Sequence, residues 1–308
     1  MHMANPALET VTTGLRFPEG PVAMPDGSVI LTEMFGHCLT RVAPDGTKTK
    51  VADIVGLPNG LAPGPDGHLY LCNNGGAFTP LEMGGLLYPG EFDPAKYIGG
   101  RIQKVDIATG EVTDLYTHCG DVALRAPNDL VFDAHGGFWF TDHGIRHHRT
   151  ADRTGIYYAK ADGSHIEEVV FPVDSPNGIG LSPAGDRVYW AETHTGRVYQ
   201  REVTAPGKVA PISPEVPVML CGLPGYQLFD SLAVDAAGNI CVATLVNGGV
   251  TVISPAGDVI DFVATDDRIT TNICFGGPDW GTAYVTVSST GQLLRMKWPY
   301  GGLRLNYQ

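Results

Sequence analysis

The chain has 308 residues, of which 43% are hydrophobic and 17% charged, and its formal net charge is -13. This balance supplies enough apolar material for a packed core, so the composition excludes a disordered chain. An acidic surface repels phosphate backbones and anionic headgroups, so nucleic acid and membrane surfaces are excluded as expected partners. The 40 glycines and 23 prolines are spread along the whole chain and indicate many tight turns.

The first residues, 1–10, carry no basic segment followed by an apolar run, so we expect no signal peptide and a cytoplasmic protein. No segment is long and apolar enough to predict a membrane-spanning helix. The six cysteines show no C-x-x-C spacing, and three of them lie in apolar runs. We therefore expect reduced core thiols and neither a zinc site nor a disulfide framework.

One plan then recurs six times along the chain: a polar residue, a short apolar run, a Gly-containing turn and a second apolar run. The six segments are EGPVAMPDGSVILTE from Glu19, NGLAPGPDGHLYLCNN from Asn59, NDLVFDAHGGFWFTD from Asn128, NGIGLSPAGDRVYWAE from Asn177, DSLAVDAAGNICVATL from Asp230 and NICFGGPDWGTAYVTVS from Asn272. Alternating apolar residues on either side of a Pro, Asp or Gly turn predict a β-hairpin in each segment. A further strand pair usually follows each hairpin, and repeats of four strands are typical of propeller blades.

The predicted fold is therefore all-β: one six-bladed β-propeller domain over residues 1–308, with four antiparallel strands in each blade. The sixth repeat is one strand short, and the segment LETVTTGL, from Leu8 to Leu15, has the length and period to supply the missing strand. We expect this N-terminal strand to close the ring, which removes the exposed edges of an open sheet. The second repeat is longer than the others because residues 75–100 are inserted between its second and third strands.

The residues that open the six repeats carry side-chain oxygens, and blade geometry places all six at one rim of the axis. They are Glu19, Asn59, Asn128, Asn177, Asp230 and Asn272. Any single Asn before Gly is also a routine turn residue. Two carboxylates and up to four amides at one point nevertheless favour a hard cation, so we expect one divalent ion: calcium, magnesium or manganese.

The order of these segments, FPEGPV, APNDLVFD, SPNGIGLSP and FDSLAVD, resembles the gluconolactonase and regucalcin (senescence marker protein) family of propellers over nearly the whole chain. The resemblance implies that Glu19, Asn177 and Asp230 hold the metal, with Asn128 as a further ligand or a substrate contact. Members of that family bind calcium, and several work with zinc, manganese or magnesium. Diisopropylfluorophosphatase is a more distant relative in this resemblance.

The resemblance further implies hydrolysis of a small, sugar-type lactone. Asp230 would accept the proton of the attacking water; direct attack by its carboxylate, the scheme discussed for phosphotriesterase relatives, remains open. Asn128 is the second candidate catalytic residue. Expected substrate contacts are Arg125, Asp129 and His143. Because Asp129 follows Asn128 in a strand, its side chain should point the other way, and its expected role is to orient Asn128.

Two other functions stay open: a phosphotriesterase or arylesterase at the same metal, and a non-catalytic propeller with a structural metal. The expected partner is a small lactone, and the chain is expected to be a monomer or a homodimer. Residues 75–100 carry several apolar and aromatic side chains on a Gly-rich segment, which predicts a lid or side wall over the metal. The alternative is that these side chains pack on neighbouring blades or on a second subunit.

Overall fold

The computed structural model describes residues 7–214 and 218–308. In these ranges the chain forms 29 β-strands, a single 3-10 helix at Met34–Gly36 and no α-helix. None of the residues described there belongs to a helix long and apolar enough to cross a membrane.

Six antiparallel sheets carry the fold, and each contains at least four strands. Blade 1 contains β2 (Pro18–Ala23), β3 (Val29–Glu33), β4 (Cys38–Val42) and β5 (Lys48–Asp53). Blade 2 contains β6 (Pro58–Pro63), β7 (Leu69–Asn73), β10 (Arg101–Val105) and β11 (Val112–Tyr116). Blade 3 contains β14 (Pro127–Phe132), β15 (Gly137–Asp142), β16 (Thr154–Lys160) and β17 (Ile166–Val173).

The second half of the chain repeats this arrangement. Blade 4 contains β18 (Pro176–Leu181), β19 (Arg187–Glu192), β20 (Arg197–Ala205) and β22 (Met219–Gly222), with β21 (Lys208–Val209) also paired to β20. Blade 5 contains β23 (Leu228–Val234), β24 (Ile240–Leu245), β25 (Gly249–Ile253) and β26 (Val259–Ala264). Blade 6 contains β27 (Thr270–Gly276), β28 (Thr282–Val287), β29 (Gln292–Lys297) and β1 (Glu9–Thr12). Two short hairpins lie outside the blades: β8 (Pro80–Met83) with β9 (Leu86–Pro89), and β12 (His118–Cys119) with β13 (Val122–Ala123).

The ring is closed by the N-terminal strand, as the sequence predicts. Strand β1 pairs antiparallel with β29, and Glu9 lies opposite Arg295, with their side chains joined by a 2.9 Å ion pair. The innermost strand of every blade contacts the innermost strands of both neighbours, including β27 against β2. The six-bladed propeller is therefore confirmed.

Apolar side chains of adjacent blades form the core between them. One cluster joins Tyr70 of blade 2 to Phe132 and Phe138 of blade 3, with ring centroids 4.9 to 5.8 Å apart. These strands form because their apolar and aromatic residues fit a pleated surface that is buried on both faces. All six cysteines are free, as expected, and five of them are buried in this core.

The C-terminal segment closes the end of the axial channel that lies far from the strand openings, which the sequence analysis does not anticipate. The Asn306 side chain donates to the Phe132 carbonyl at 2.9 Å, and that of Gln308 donates to the Ala23 carbonyl at 2.8 Å. A cavity of about 220 Å³ lies between the inner strands and the segment 303–306. The C-terminal segment therefore lines this end of the channel, and the cavity reaches Asp129 and Asn272.

Candidate metal centre

The six residues that open the inner strands are all buried. Each inner strand shows a register irregularity at its opening, for example between Glu19 and Val22 and between Phe229 and Leu232. A bulge of this kind re-aims side chains and interrupts the ladder. The repeated bulge explains how short strands present polar side chains to the axis.

Hydroxyl groups on neighbouring blades bond to the backbone carbonyls at the strand openings. The Thr32 hydroxyl donates to the Asn59 carbonyl at 2.8 Å, and that of Thr141 donates to the Asn177 carbonyl at 2.5 Å. The Ser288 hydroxyl donates to the Pro18 carbonyl at 2.6 Å. Buried carbonyls need partners, so these bonds hold three of the six openings against the preceding blade.

Three side-chain oxygens at the strand openings are buried and have no hydrogen-bond partner. They are Glu19 Oε2, Asn59 Oδ1 and Asn128 Oδ1, and the described residues contain only two other buried polar side-chain atoms in that state. An unsatisfied buried acceptor costs about 1–3 kcal/mol. Three such acceptors on neighbouring blades indicate a site built for a cation or for ordered water.

The carboxylates at the axis lie close enough to influence one another. Burial, followed by the charges of Asp230 and Asp129, raises the pKa of Glu19 well above its usual range. Burial also raises the pKa of Asp230 to about 7, with a further contribution from Asp129. Among the described residues, neither Lys nor Arg is a main cause of these two pKa shifts. A divalent cation would supply the missing positive charge.

The donor set fits a hard divalent cation. It offers the carboxylates of Glu19 and Asp230 and the amides of Asn128 and Asn177, all through oxygen, which calcium, magnesium and manganese prefer. The Asn177 amide lies near the Asp230 carboxyl and lowers its pKa, while its Nδ2 donates to the Thr193 hydroxyl at 3.0 Å. Among the described residues, no three His, Cys, Asp or Glu side chains converge closely enough to hold a metal. A cation at this site would therefore also need amide oxygens.

Asp129 does not point away from the axis, in contrast to the sequence-based expectation. The bulge between Pro127 and Leu130 breaks the strict alternation of the strand. The Asp129 carboxylate accepts the Leu130 N–H at 2.9 Å and a bond from Ser231, with none to Asn128. Burial raises its pKa to about 7.

Arg125 lies at the rim with its guanidinium partly engaged. Its Nε donates to Asp152 Oδ2 at 2.8 Å, and the group lies 5.7 Å from the centre of the Tyr97 ring. The other N–H groups of the guanidinium can donate hydrogen bonds to a ligand, and the ion pair with Asp152 limits the motion of the side chain.

His143 is buried at the same rim, and burial lowers its pKa, which favours the neutral ring. Its Nδ1 lies 3.1 Å from the Gly144 carbonyl, which places the proton on Nδ1. Its ring packs edgewise against Phe78 and His194, with centroids 6.1 and 5.9 Å away. The sequence analysis did not identify His194, and no repeated spacing marks it.

The inserted segment is anchored across several blades. The backbone N–H of Leu87 bonds to the Ser289 carbonyl of blade 6 at 3.0 Å, and the Leu87 side chain packs with Phe17 of blade 1. At its other end, the Tyr97 hydroxyl donates to the Arg125 carbonyl at 2.5 Å. The segment therefore borders the rim from blade 6 to blade 3. Leu87 packs on the blades, whereas Phe78 reaches His143.

A family model described as the SMP-30/gluconolactonase/LRE-like region matches residues 17–289. The lactonase drp35 of Staphylococcus saprophyticus is 28% identical over 268 residues, covering 86% of this chain and 74% of the relative. The lactonase drp35 of Staphylococcus haemolyticus is 28% identical over 259 residues, covering 82% and 71%.

Two solved structures have the same fold. A gluconolactonase from Xanthomonas campestris superposes with a TM-score of 0.75 at 20% identity, covering 95% of this chain and 89% of the other. The calcium-binding protein regucalcin from Agrobacterium tumefaciens superposes with a TM-score of 0.71 at 20% identity, covering 95% of each chain. At this level of identity, the similarity shows the fold alone.

Proposed function

The chain belongs to the SMP-30/gluconolactonase/LRE-like family, and from that premise we propose that it hydrolyses a small, sugar-type lactone with one bound divalent ion. Two relatives that bear the name lactonase support the reaction class. The observation that supports the metal is the set of three buried, unpaired oxygens at the strand openings: Glu19 Oε2 and Asn128 Oδ1 belong to proposed ligands, and Asn59 Oδ1 belongs to the opening of blade 2. Water alone could satisfy these oxygens, but it would not offset the mutual repulsion of the buried carboxylates.

The proposed ligands are Glu19, Asn177 and Asp230, with Asn128 as a fourth ligand or a substrate contact. When bound, a divalent ion supplies a Lewis acid that polarises the lactone carbonyl and lowers the pKa of the attacking water. The carboxylates contribute charge and the amides contribute neutral oxygens, a mixture that suits calcium. Calcium is the proposed native ion, with zinc, manganese and magnesium as candidates for comparison.

Asp230 is the proposed proton acceptor. Its carboxylate takes a proton from water as the water oxygen forms a bond to the carbonyl carbon, which gives a tetrahedral intermediate. When the ring C–O bond breaks, the same carboxyl returns the proton to the departing alkoxide. Asp230 is buried, and its Oδ1 accepts the Ser231 N–H at 3.1 Å, which supports a fixed position for this group.

Substrate contacts are proposed for Asn128, Arg125, Asp129 and His143. Arg125 can donate to a ring hydroxyl or carboxylate with the N–H groups that Asp152 does not occupy. Because the proton of His143 is on Nδ1, its Nε2 can accept a hydrogen bond from a substrate hydroxyl. A polar substrate with several hydroxyls suits these groups better than an apolar one.

A panel of substrates tests the proposal. Purified protein is assayed against aldono-lactones, aryl esters and phosphotriesters, first with chelator and then after addition of calcium, zinc, manganese or magnesium. We expect lactone hydrolysis that chelation abolishes and metal restores. Turnover of phosphotriesters alone would support the phosphotriesterase alternative. Lactone hydrolysis that continues after chelation would contradict the proposed role of the metal.

A single turnover in ¹⁸O-labelled water separates the two roles of Asp230. If water attacks the lactone, the first turnover places ¹⁸O in the product carboxylate. If the Asp230 carboxylate attacks directly, the first product carries ¹⁶O from that carboxylate, and mass spectrometry finds the label on Asp230 instead. The proposed mechanism expects the label in the product.

A further inference from the structure

Four blades share a contact between the end of the second strand and the segment that enters the inner strand. In each of these blades, the last residue of the second strand pairs with the proline just before the opening residue. These last residues all have polar side chains, and we call them the latch residues: Glu33, Asn73, Asp142 and Glu192.

The latch residues accept backbone N–H groups from the entering segment. Glu33 Oε2 accepts the Arg16 N–H at 2.7 Å, and Asn73 Oδ1 accepts the Leu57 N–H at 3.1 Å. In blade 4 the backbone N–H of Asp174 lies near the Glu192 carboxyl and lowers its pKa, and Glu192 Oε2 accepts the Thr195 hydroxyl at 2.8 Å. The opening proline has no N–H of its own, so the side chain bonds to the residues that precede it.

Blade 3 has the most complete contact. Asp142 is 1% exposed, and its Oδ2 accepts the Arg125 N–H at 2.6 Å. Its Oδ1 accepts the N–H groups of Ala126 at 2.7 Å and Gly144 at 3.1 Å. One carboxylate thus ties the segment leading to Asn128 to the loop that carries His143.

We propose that the latch residues are positioning residues, and that Asp142 sets the placement of Asn128 and Arg125 for metal and substrate binding. This inference rests on the proposed function for its consequences, but the contact itself involves only the protein. A carboxylate that accepts three backbone N–H groups restrains the loop more tightly than neutral bonds do. Groups that orient metal ligands typically change metal affinity or activity by about 10–100-fold when they are removed.

Asp133 provides a matched control in the same blade. It is also buried, its Oδ1 accepts the N–H groups of His135 and Gly137, and its Oδ2 accepts the Tyr158 hydroxyl. It lies at the turn between β14 and β15, at the far end of the same inner strand. Asp142→Asn and Asp133→Asn therefore make the same chemical change at opposite ends of one hairpin.

The variants are compared by hydrogen exchange of the peptide containing Arg125 and Ala126, and by calcium titration. For Asp142→Asn we expect at least about tenfold faster exchange in this peptide and about 10–100-fold weaker calcium binding. Asp133→Asn should leave both within about twofold of the parent. If the parent hydrolyses a lactone, Asp142→Asn should hydrolyse it more slowly. Its KM should also change, because the backbone that carries Arg125 is released together with that of Asn128.

Unchanged exchange at Arg125 and Ala126 in a folded Asp142→Asn would overturn the proposal, as would equal calcium binding in the two variants. If Asp142→Asn does not fold, Glu33→Gln makes the same test at the Arg16 N–H and Glu19 in blade 1. A parent protein that hydrolyses no lactone would contradict the proposed function, while exchange would still decide whether the latch exists.

Discussion

Removing the charge of Glu19 should affect the metal-free and metal-bound proteins in opposite directions. Glu19→Gln keeps the shape of a side chain that is 3% exposed, and takes one negative charge away from Asp230 and Asp129. Without a cation these buried carboxylates repel one another, and among the described residues neither Lys nor Arg is a main cause of their pKa shifts. We therefore expect the metal-free variant to be more stable than the parent.

The magnitude follows from the pKa of Glu19, which burial and then the charges of Asp230 and Asp129 raise well above its usual range. Each unit corresponds to about 1.4 kcal/mol, and burial makes the largest contribution while the carboxylates share the rest. Removing Glu19's charge should stabilise the metal-free protein by on the order of 1–3 kcal/mol at pH 8. In the presence of calcium, losing a charged ligand should weaken binding by about 100-fold, or about 2.7 kcal/mol.

Thermal unfolding at pH 8, with chelator and with saturating calcium, measures both effects. Asp235→Asn is the control, because Asp235 is also buried but accepts the N–H groups of Ala237 and Asn239 at the far end of the channel. The control should destabilise the protein equally with and without calcium. A metal-free Glu19→Gln that melts below the parent, or that gains as much from calcium as the parent, would refute the reasoning.

Three further predictions concern other parts of the molecule. Deleting residues 1–14 removes β1 and exposes the edge of β29, so the free energy of unfolding should fall by several kcal/mol in urea titrations; an unchanged midpoint would contradict the ring closure. The metal-free protein should lose stability as pH rises from 5 to 8, because the pKa values of Asp129 and Asp230 are raised to about 7 and their protonated forms favour folding below that. Calcium should therefore raise the Tm more at pH 8 than at pH 5.5, and an equal gain would argue against these carboxylates as ligands. Phe78→Ala should shift KM among lactones with little change in Tm. Leu87→Ala should lower the free energy of unfolding by about 2–4 kcal/mol, because Leu87 is buried against the blades. The reverse pattern would show that Leu87, and not Phe78, contacts the substrate.

The fold could be predicted because one hairpin pattern recurs six times and because the sixth repeat is one strand short of a complete blade. The segment around Thr10 had the right period for the missing strand, and it pairs with β29. The C-terminal closure of the channel could not be predicted in this way. Asn306 and Gln308 act through single side-chain bonds to carbonyls of distant strands, and such contacts leave no periodic signal in the sequence.

At the candidate metal centre, the prediction failed where the strand departs from regular geometry. Alternation placed Asp129 on the opposite face from Asn128, but the bulge after Pro127 leaves its carboxylate beside those of Glu19 and Asp230. A bulge adds a residue to one strand only, and the sequence of one strand does not reveal the register of its partner.

In the sequence, the latch residues are polar residues at the end of the second strand of four repeats. Their role, however, depends on the register between the first and second strands of each blade. Glu33 and Asp142 each pair with a proline, which cannot donate a hydrogen bond, and each side chain instead accepts N–H groups of the residues before that proline. The same proline stiffens the backbone just before the opening residue. A Pro-Asn or Pro-Glu pair at the rim is thus held from both sides, by its own ring and by the latch. This restraint gives a physical reason for the recurrent proline, beyond turn formation: a ligand oxygen must be placed accurately to bind a cation.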